Sequence, residues 1–435
     1  MFGIMNRNFA IWLGLMCMTQ VALASTDSTL RYANAIYEDN VKSVRFVQTE
    51  SGFNFPLYML GSDKKLTLEF DQIKTERDFY QFTLIHCDAY WRPTQGLVKT
   101  QFLDGQGYEN IDDVGFSSGT LTNYTHYKVD LPTENMMPKV SGNYILVVYR
   151  NFDEKDIVLS RRMMILDIKG RVDMELYQSK QVDLRVTHQQ VNMTFVVNGD
   201  YYMPNPLQDL KTVVLRNGEW DYANFDMKPN VFFGQTFQYN QQLGNQFEGI
   251  NQFRFFDLRS LRMAMSGVSK RMNIANQKHV WLVQDKSRGM ERYFNWADIN
   301  GKVLYDNKDI PLPAGVILES DYCYVHFSLK AEREFPNPVY IYGEISDWRI
   351  LESHKLYWNP DAMVYEAVLP LKQGYYNYLY GVLDPETQKL SFMELEGNHA
   401  ETENNYMTLI YHKNPNLGYD ELIAYGLKNT ATALR

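Results

Sequence analysis

Residues 86–94 read His-Cys-Asp-Ala-Tyr-Trp-Arg-Pro-Thr and follow a β-rich run at 79–85. A histidine, a cysteine and a carboxylate in consecutive positions could serve acid–base or nucleophilic catalysis. The same residues also suit a rigid corner, in which Trp91 fills a gap in the core, Asp88 bonds the turn backbone and Pro93 fixes a φ angle. Because no second catalytic motif accompanies the block, we predict the corner.

Three further patterns could carry chemistry, but each lacks the context that it needs. Residues 115–119 (Gly-Phe-Ser-Ser-Gly) satisfy G-x-S-x-G, yet a nucleophile elbow requires a helix after the serine, and residues 124–131 predict a strand. Residues 298–301 (Asp-Ile-Asn-Gly) lack the further acidic ligands of a calcium loop. The eight histidines form no H-x-x-x-H pair. We therefore expect no catalytic residues, no metal and no cofactor.

The composition indicates an exported, acidic, β-rich protein. Among 435 residues there are 31 Tyr and 24 Phe, which suit half-buried pleated surfaces. The net charge of −9 makes nucleic acid a poor partner. Arg7 precedes the apolar run 9–23, which ends in Ala22-Leu-Ala24, the pattern of a cleaved secretory signal. That run is shorter than the roughly 20 residues of a membrane span, and no later run approaches one, so a soluble mature protein is expected.

Only Cys87 and Cys323 remain once the signal is removed. They are far apart in sequence, and an exported location permits a disulfide between them. We expect two buried free thiols instead. The fold is not built on a disulfide framework.

Short alternating segments separated by turn signals predict a mainly β fold of tandem immunoglobulin-like or E-set β-sandwich domains. No long amphipathic helix pattern occurs after the signal. The predicted organisation is a signal peptide (1–24), an N-terminal β-sandwich (25–170), a second β-domain (171–285), a linker (286–320), a C-terminal immunoglobulin-like or E-set domain (321–415) and a C-terminal tail (416–435).

Residues 141–144 (Ser-Gly-Asn-Tyr) before an apolar strand are typical of a tyrosine corner, in which the tyrosine hydroxyl bonds nearby backbone. Residues 369–378 repeat the order of 131–144, with Leu-Pro, then glycine, then a tyrosine-bearing strand. We interpret the two segments as parts of related sandwich modules.

Five short motifs follow one another in order: residues 86–94, 123–127 (Asn-Tyr-Thr-His-Tyr), 141–147 (Ser-Gly-Asn-Tyr-Ile-Leu-Val), 253–259 (Phe-Arg-Phe-Phe-Asp-Leu-Arg) and the pair 396–398 (Glu-Gly-Asn) and 401–406 (Glu-Thr-Glu-Asn-Asn-Tyr). This ordered set resembles the plug proteins of the bacterial type IX secretion system, from about residue 30 to about residue 425. The candidate motif or interface residues are His86, Asp88, Trp91, Arg92, Tyr127, Tyr144, Arg254, Asp257, Trp348, Glu396 and Asn398.

The resemblance implies a periplasmic, non-enzymatic stopper. Such a protein binds the periplasmic end of a wide outer-membrane translocon, the SprA-type pore, and seals it when no cargo is present. It implies one partner protein, one copy per pore, and no membrane span of the chain itself.

One alternative function rests on the predicted C-terminal domain (321–415). Residues 340–348 and 373–378 resemble glycogen- and starch-binding immunoglobulin-like modules, in which exposed aromatic rings stack on sugars. Trp348 and Trp358 could play that part, and exposed, coplanar indoles would favour a periplasmic carbohydrate-binding protein. A helix directly after Ser117 would favour a hydrolase instead.

Export followed by cleavage predicts a mature N-terminus near Ser25, because the small residues at 22 and 24 suit signal peptidase. Edman sequencing of the protein from the periplasmic fraction checks this. An intact 9–23 segment recovered in a membrane fraction would contradict it.

Overall fold

The computed structural model describes residues 29–48, 55–74, 76–199, 201–225, 227–240, 244–310 and 318–433. The expected signal peptide, residues 1–24, lies outside the described residues. The fold is mainly β, as predicted, whereas its assignment to the immunoglobulin-like or E-set class stays a prediction. The helices are single turns: Lys99–Phe102, Pro206–Asp209 and Thr430–Ala433, with 3-10 turns at Val182–Leu184, Trp220–Tyr222, Glu344–Ser346 and Glu352–His354.

The first unit is a sandwich of two antiparallel sheets with a short β-ribbon beside them. In spatial order the larger sheet contains Ala35–Ile36, Asp153–Leu166, Gly142–Arg150, Tyr80–Cys87 and Glu109–Asn110, with Leu57–Met59 parallel to Asp153–Leu166. The smaller sheet contains Val41–Gln48, Leu66–Gln72, Thr125–Leu131 and Asp113–Phe116. The ribbon pairs Met137–Pro138 with Leu103–Asp104.

The second unit combines strands from the middle of the chain with strands from its end. Its five-stranded sheet contains Gly170–Gln178, His188–Val197, Thr236–Tyr239 and Val231–Phe233 in spatial order, with Gln246–Glu248 also paired to His188–Val197. Its three-stranded sheet contains Leu210–Arg216, Asn405–Lys413 and Asp420–Asn429.

The third unit is a larger set of strands that packs around two apolar clusters. In spatial order the main path contains Arg254–Asp257, Gly374–Leu383, Val339–Tyr342, Lys355–Asn359, Val364–Lys372, Tyr322–Lys330, Gln277–Leu282 and Val268–Ile274. The short strands Asp285–Lys286, Val303–Tyr305 and Leu390–Ser391 pair at its sides.

These pairings differ from the predicted domain boundaries in three places. Residues 420–429, expected in a tail, form a strand, because their apolar side chains cover the core of the second unit. Strand Asn405–Lys413 also belongs to that unit instead of the third. The described residues of the expected linker pack on the third unit, where Val303–Tyr305 pairs with Gly374–Leu383.

Four of the sheets stack in layers: the smaller and then the larger sheet of the first unit, followed by the three-stranded and the five-stranded sheets of the second unit. The two inner sheets, the larger sheet of the first unit and the three-stranded sheet, are covered on both faces. In strand Gly142–Arg150, Leu146 packs in the sandwich core whereas Ile145 packs against the three-stranded sheet. In that next sheet, Leu409 faces the first unit and Ile410 faces the five-stranded sheet. A strand buried on both faces needs apolar side chains in consecutive positions, which explains the unbroken apolar run at 144–149.

Two tyrosine corners fix the turns that precede central strands. The hydroxyl of Tyr144 donates to the carbonyl of Val140 at 2.8 Å, which confirms the predicted corner. The hydroxyl of Tyr376 donates to the carbonyl of Lys372 at 2.5 Å. Because both bonds reach back four residues, the sequence echo between 131–144 and 369–378 corresponds to the same local structure.

A buried ion pair joins the first unit to the third. Asp71 accepts hydrogen bonds from Lys372 Nζ at 2.6 Å and from the Tyr322 hydroxyl at 2.7 Å, and His126 Nδ1 lies 2.7 Å from its other oxygen. Burial alone would raise the pKa of Asp71, but Lys372 and His126 outweigh that effect and hold the pKa below its usual value. The joint therefore contains a charged carboxylate whose partners come from both units.

Removing one partner of this pair leaves a buried charge with too few partners. Lys372→Met is expected to lower the free energy of unfolding by about 3–5 kcal/mol, and Asp71→Asn combined with Lys372→Met by less than the sum of the single changes. Chemical denaturation measures both. The matched control is Lys139→Met, which breaks an exposed pair with Asp104 and should cost about 1 kcal/mol or less. Unchanged stability of Lys372→Met would contradict the importance of this joint.

Candidate functional site

The 86–94 block is a closed corner at the end of strand Tyr80–Cys87. The Asp88 Oδ1 atom accepts the backbone N–H groups of Tyr90 and Arg92, each at 2.9 Å. A bridge between Cys87 and Pro93 closes the loop. The carboxylate thus serves the turn backbone, as predicted from the sequence.

The reactive side chains of the block are held in unreactive states. His86 is buried, and its Nε2 donates to the carbonyl of Ser141 at 3.2 Å, which leaves Nδ1 to accept from the Thr94 hydroxyl at 2.8 Å. Burial lowers the pKa of His86 to about 4 and raises the pKa of the Cys87 thiol to about 12. Cys87 and Cys323 are both free and buried, as expected. A neutral imidazole and a protonated thiol without solvent access do not form a catalytic pair.

Trp91 joins the first unit to the second. Its side chain is 3% exposed and meets Trp220 edge to face, with ring centroids 4.8 Å apart. The Arg162 guanidinium lies over both indoles, at 4.9 Å and 5.1 Å from the ring centres. Such contacts add to the area that the rings bury. Trp91 is therefore an anchor between units.

The same corner also makes a charged contact with the C-terminal strand. The backbone N–H of Ala89 donates to Asp420 Oδ2 at 2.9 Å, and Lys211 Nζ donates to the same carboxylate at 2.7 Å. Arg92 is exposed and its guanidinium lies 5.7 Å from the ring centre of Tyr90. Of the four candidate residues in the block, Arg92 alone faces solvent to a large extent.

The motifs at 253–259 and 396–398 meet in a second network, inside the third unit. The Glu396 carboxylate is fully buried and accepts from Arg254 Nε at 3.0 Å and from Arg288 Nε at 2.5 Å. Burial would raise the pKa of Glu396, but the two guanidinium groups outweigh it and lower the pKa. Arg254 also donates to Asp285 at 2.7 Å. The positive charges of the two arginines therefore neutralise the negative charges of the two carboxylates, Glu396 and Asp285.

The remaining candidate residues have structural partners or lie apart. Asp257 makes a two-point contact with Arg259, at 3.0 Å and 2.7 Å. The Tyr127 hydroxyl donates to the carbonyl of Asp78 at 3.0 Å. Asn398 is close to Glu396 in the sequence, and its side chain is buried. No hydrogen-bond partner of its Oδ1 is found among the described residues. Most of the candidate residues thus make separate contacts inside the protein, and they are not gathered in one cleft.

Sequence reasoning missed the partners that complete these joints. They are Asp71, Lys372, Arg288, Lys211, Trp220 and Asp420. Asp71 and Lys372 are 301 positions apart, and nothing local marks either as buried. The sequence motifs singled out Glu396 and Arg254 separately, but not their contact, and they did not point to Arg288, the second arginine that neutralises Glu396.

The structure does not provide the features that would have favoured the alternatives. The Ser117 hydroxyl accepts the backbone N–H of Tyr124 at 3.0 Å in a turn between two strands, so no helix follows it. Trp348 is half-buried and packs edge to face on Phe253 and Tyr342, at 6.1 Å and 5.8 Å. Trp358, also half-buried, packs on Tyr365 at 5.0 Å. The two indoles do not form an exposed platform.

The described residues contain neither a cluster of metal-ligating side chains nor a helix that could span a membrane. Within those ranges no group of three or more His, Cys, Asp or Glu side chains is placed to hold a metal ion. The helices that the structure describes are too short to cross a bilayer.

Comparison with known families identifies the first unit. Residues 41–167 match the model of the type 9 secretion system plug protein 1st domain. The match confirms the resemblance indicated by the sequence motifs, and it places the 86–94 block and the tyrosine corner at Tyr144 inside the plug domain.

Comparison with solved structures supports the fold over nearly the whole chain. A crystal structure of a hypothetical protein from Parabacteroides merdae ATCC 43184, at 2.30 Å resolution, is 24% identical and superposes with a TM-score of 0.87. The alignment covers 92% of this chain and 100% of that chain. The two proteins therefore share the same fold over nearly the whole of this chain. None of the curated proteins matches the chain.

The Trp91 anchor predicts a stability defect. Trp91→Ala should lower the free energy of unfolding by about 3–5 kcal/mol, because it truncates a buried aromatic side chain between two units. Arg92→Ala, the exposed neighbour, is the matched control and should stay within about 0.5 kcal/mol of wild type. Denaturant titration followed by circular dichroism measures both. A Trp91→Ala protein as stable as wild type but unable to bind its partner would make the block an interface instead.

Proposed function

We propose that this protein binds the periplasmic end of the outer-membrane pore of the type IX secretion system and closes it when no cargo is inside. The observation that carries the proposal is the plug-domain match over residues 41–167. The proposed role is non-enzymatic and needs no cofactor. Its partner is the SprA-type translocon barrel, with one copy of this protein per pore.

The joints between the units support this role physically. A barrel wide enough for folded cargo leaks unless a body of comparable size covers it. Buried contacts at Asp71 and Trp91 tie the plug domain to the third and second units, so the three units resist separation. A body held in this way can block a channel by shape alone.

The proposed location follows from the same reasoning. The predicted signal at residues 1–24 would direct the chain to the periplasm, where the inner end of the pore is accessible. Retention at the outer membrane would then depend on the pore. A stable interface of this kind buries roughly 1,600 Å² or more, enough to survive mild detergent.

Deleting the gene is expected to make the outer membrane leaky. The uptake of a large polar antibiotic such as vancomycin should rise, while the pore protein remains assembled in the membrane, because the open barrel then lacks its cover. Growth inhibition and immunoblots of the pore measure the two effects. Complementation with the wild-type gene is the control, and a deletion strain with unchanged sensitivity would overturn the proposal.

A further inference from the structure

One sheet of the third unit has a face that is only partly covered. Along strand Tyr322–Lys330 the side chains alternate, so that Val325 and Phe327 are buried in the core whereas Tyr324 and His326 are half-buried on the other side. The residues on that other side, here called the aromatic-histidine face, are Lys270, Met272, His279, Trp281, Tyr324, His326, Val368 and Pro370.

The plug domain already covers one end of this face. Tyr322 and Lys372 lie opposite each other in the sheet, and both donate to Asp71 of the plug domain. The next pairs on the same side are Tyr324 with Pro370 and His326 with Val368. The aromatic-histidine face is thus the continuation of an interface that this chain already uses.

The rings on this face cover one another. Trp281 stacks on His326 with centroids 4.2 Å apart and planes within 12°, and His279 stacks on Tyr324 at 5.2 Å. Lys270 Nζ lies 5.1 Å from the ring centre of Trp281. Sugar recognition needs open ring faces, and here neighbouring side chains occupy them. A protein surface, which contacts ring edges and methyl groups, fits this arrangement better.

Apolar side chains flank the stack on both sides. Val368 is 47% exposed on one side and Met272 is 43% exposed on the other. Aromatic residues and methionine are enriched at protein interfaces, and charged residues are depleted from their centres. The exposed Val368 and Met272 on either side of the ring stack therefore suit a contact with another protein.

We propose that the aromatic-histidine face docks on the periplasmic side of the secretion pore, next to the plug domain. This inference rests on the proposed function and adds to it the surface that makes contact. Because the face continues the interface with the plug domain, one partner surface can reach both. A second copy of this chain is the poorer occupant, since the net charge of −9 makes two copies repel each other.

The test compares three exposed apolar positions in the purified mature protein. Val368→Glu and Met272→Glu place a charge on either side of the ring stack. Phe233→Glu is the matched control, because Phe233 is 87% exposed at the edge of a sheet in the second unit. Circular dichroism and thermal unfolding verify that all three variants are folded. Binding to the detergent-solubilised pore is then measured by biolayer interferometry.

We expect Val368→Glu and Met272→Glu each to weaken pore binding by more than tenfold, and Phe233→Glu to stay within twofold of wild type. If both variants on the face bind like wild type, or if Phe233→Glu alone abolishes binding, the assignment of the face is wrong while the proposed function stands. If the wild-type protein itself does not bind the pore, the proposed function fails and the inference fails with it.

Discussion

The structure depends on one constraint: its inner sheets must be covered on both faces. Strand Gly142–Arg150 has core on one side and a second sheet on the other, and strand Asn405–Lys413 is in the same position. Neither strand could be solvated on one face without exposing apolar side chains. The plug domain, the middle of the chain and the chain's end therefore fold as adjoining layers, and the buried Asp71–Lys372 pair adds the third unit to them.

This constraint explains why several conspicuous motif residues are buried inside the protein. His86 and Trp91 lie in or beside the stacked sheets and Glu396 lies inside the third unit, and each has its hydrogen bonds or ring contacts inside the protein. Burial makes His86 and Cys87 poor acid–base groups, because their pKa values lie far from neutral, at about 4 and about 12.

Local features were predictable from the sequence and long-range ones were not. The tyrosine corner at Tyr144 and the turn role of Asp88 follow from residues within four positions of each other. The sequence predicted a tail where the strand Asp420–Asn429 lies. The position of this strand is set by its pairing with Asn405–Lys413 and by a core built from residues more than 170 positions earlier, so no local pattern reveals it. The Glu396 network likewise needs Arg254 and Arg288, which no local pattern connects to it.

The proposed role of this protein is to close the secretion pore from the periplasmic side. The most direct measurement is the conductance of the purified pore in a planar bilayer, with the mature protein added to one side at a time. We expect a large, stable conductance that falls when the protein is added to the periplasmic side and does not change when it is added to the other side. A conductance that is the same with and without the protein on the periplasmic side would contradict the proposed role.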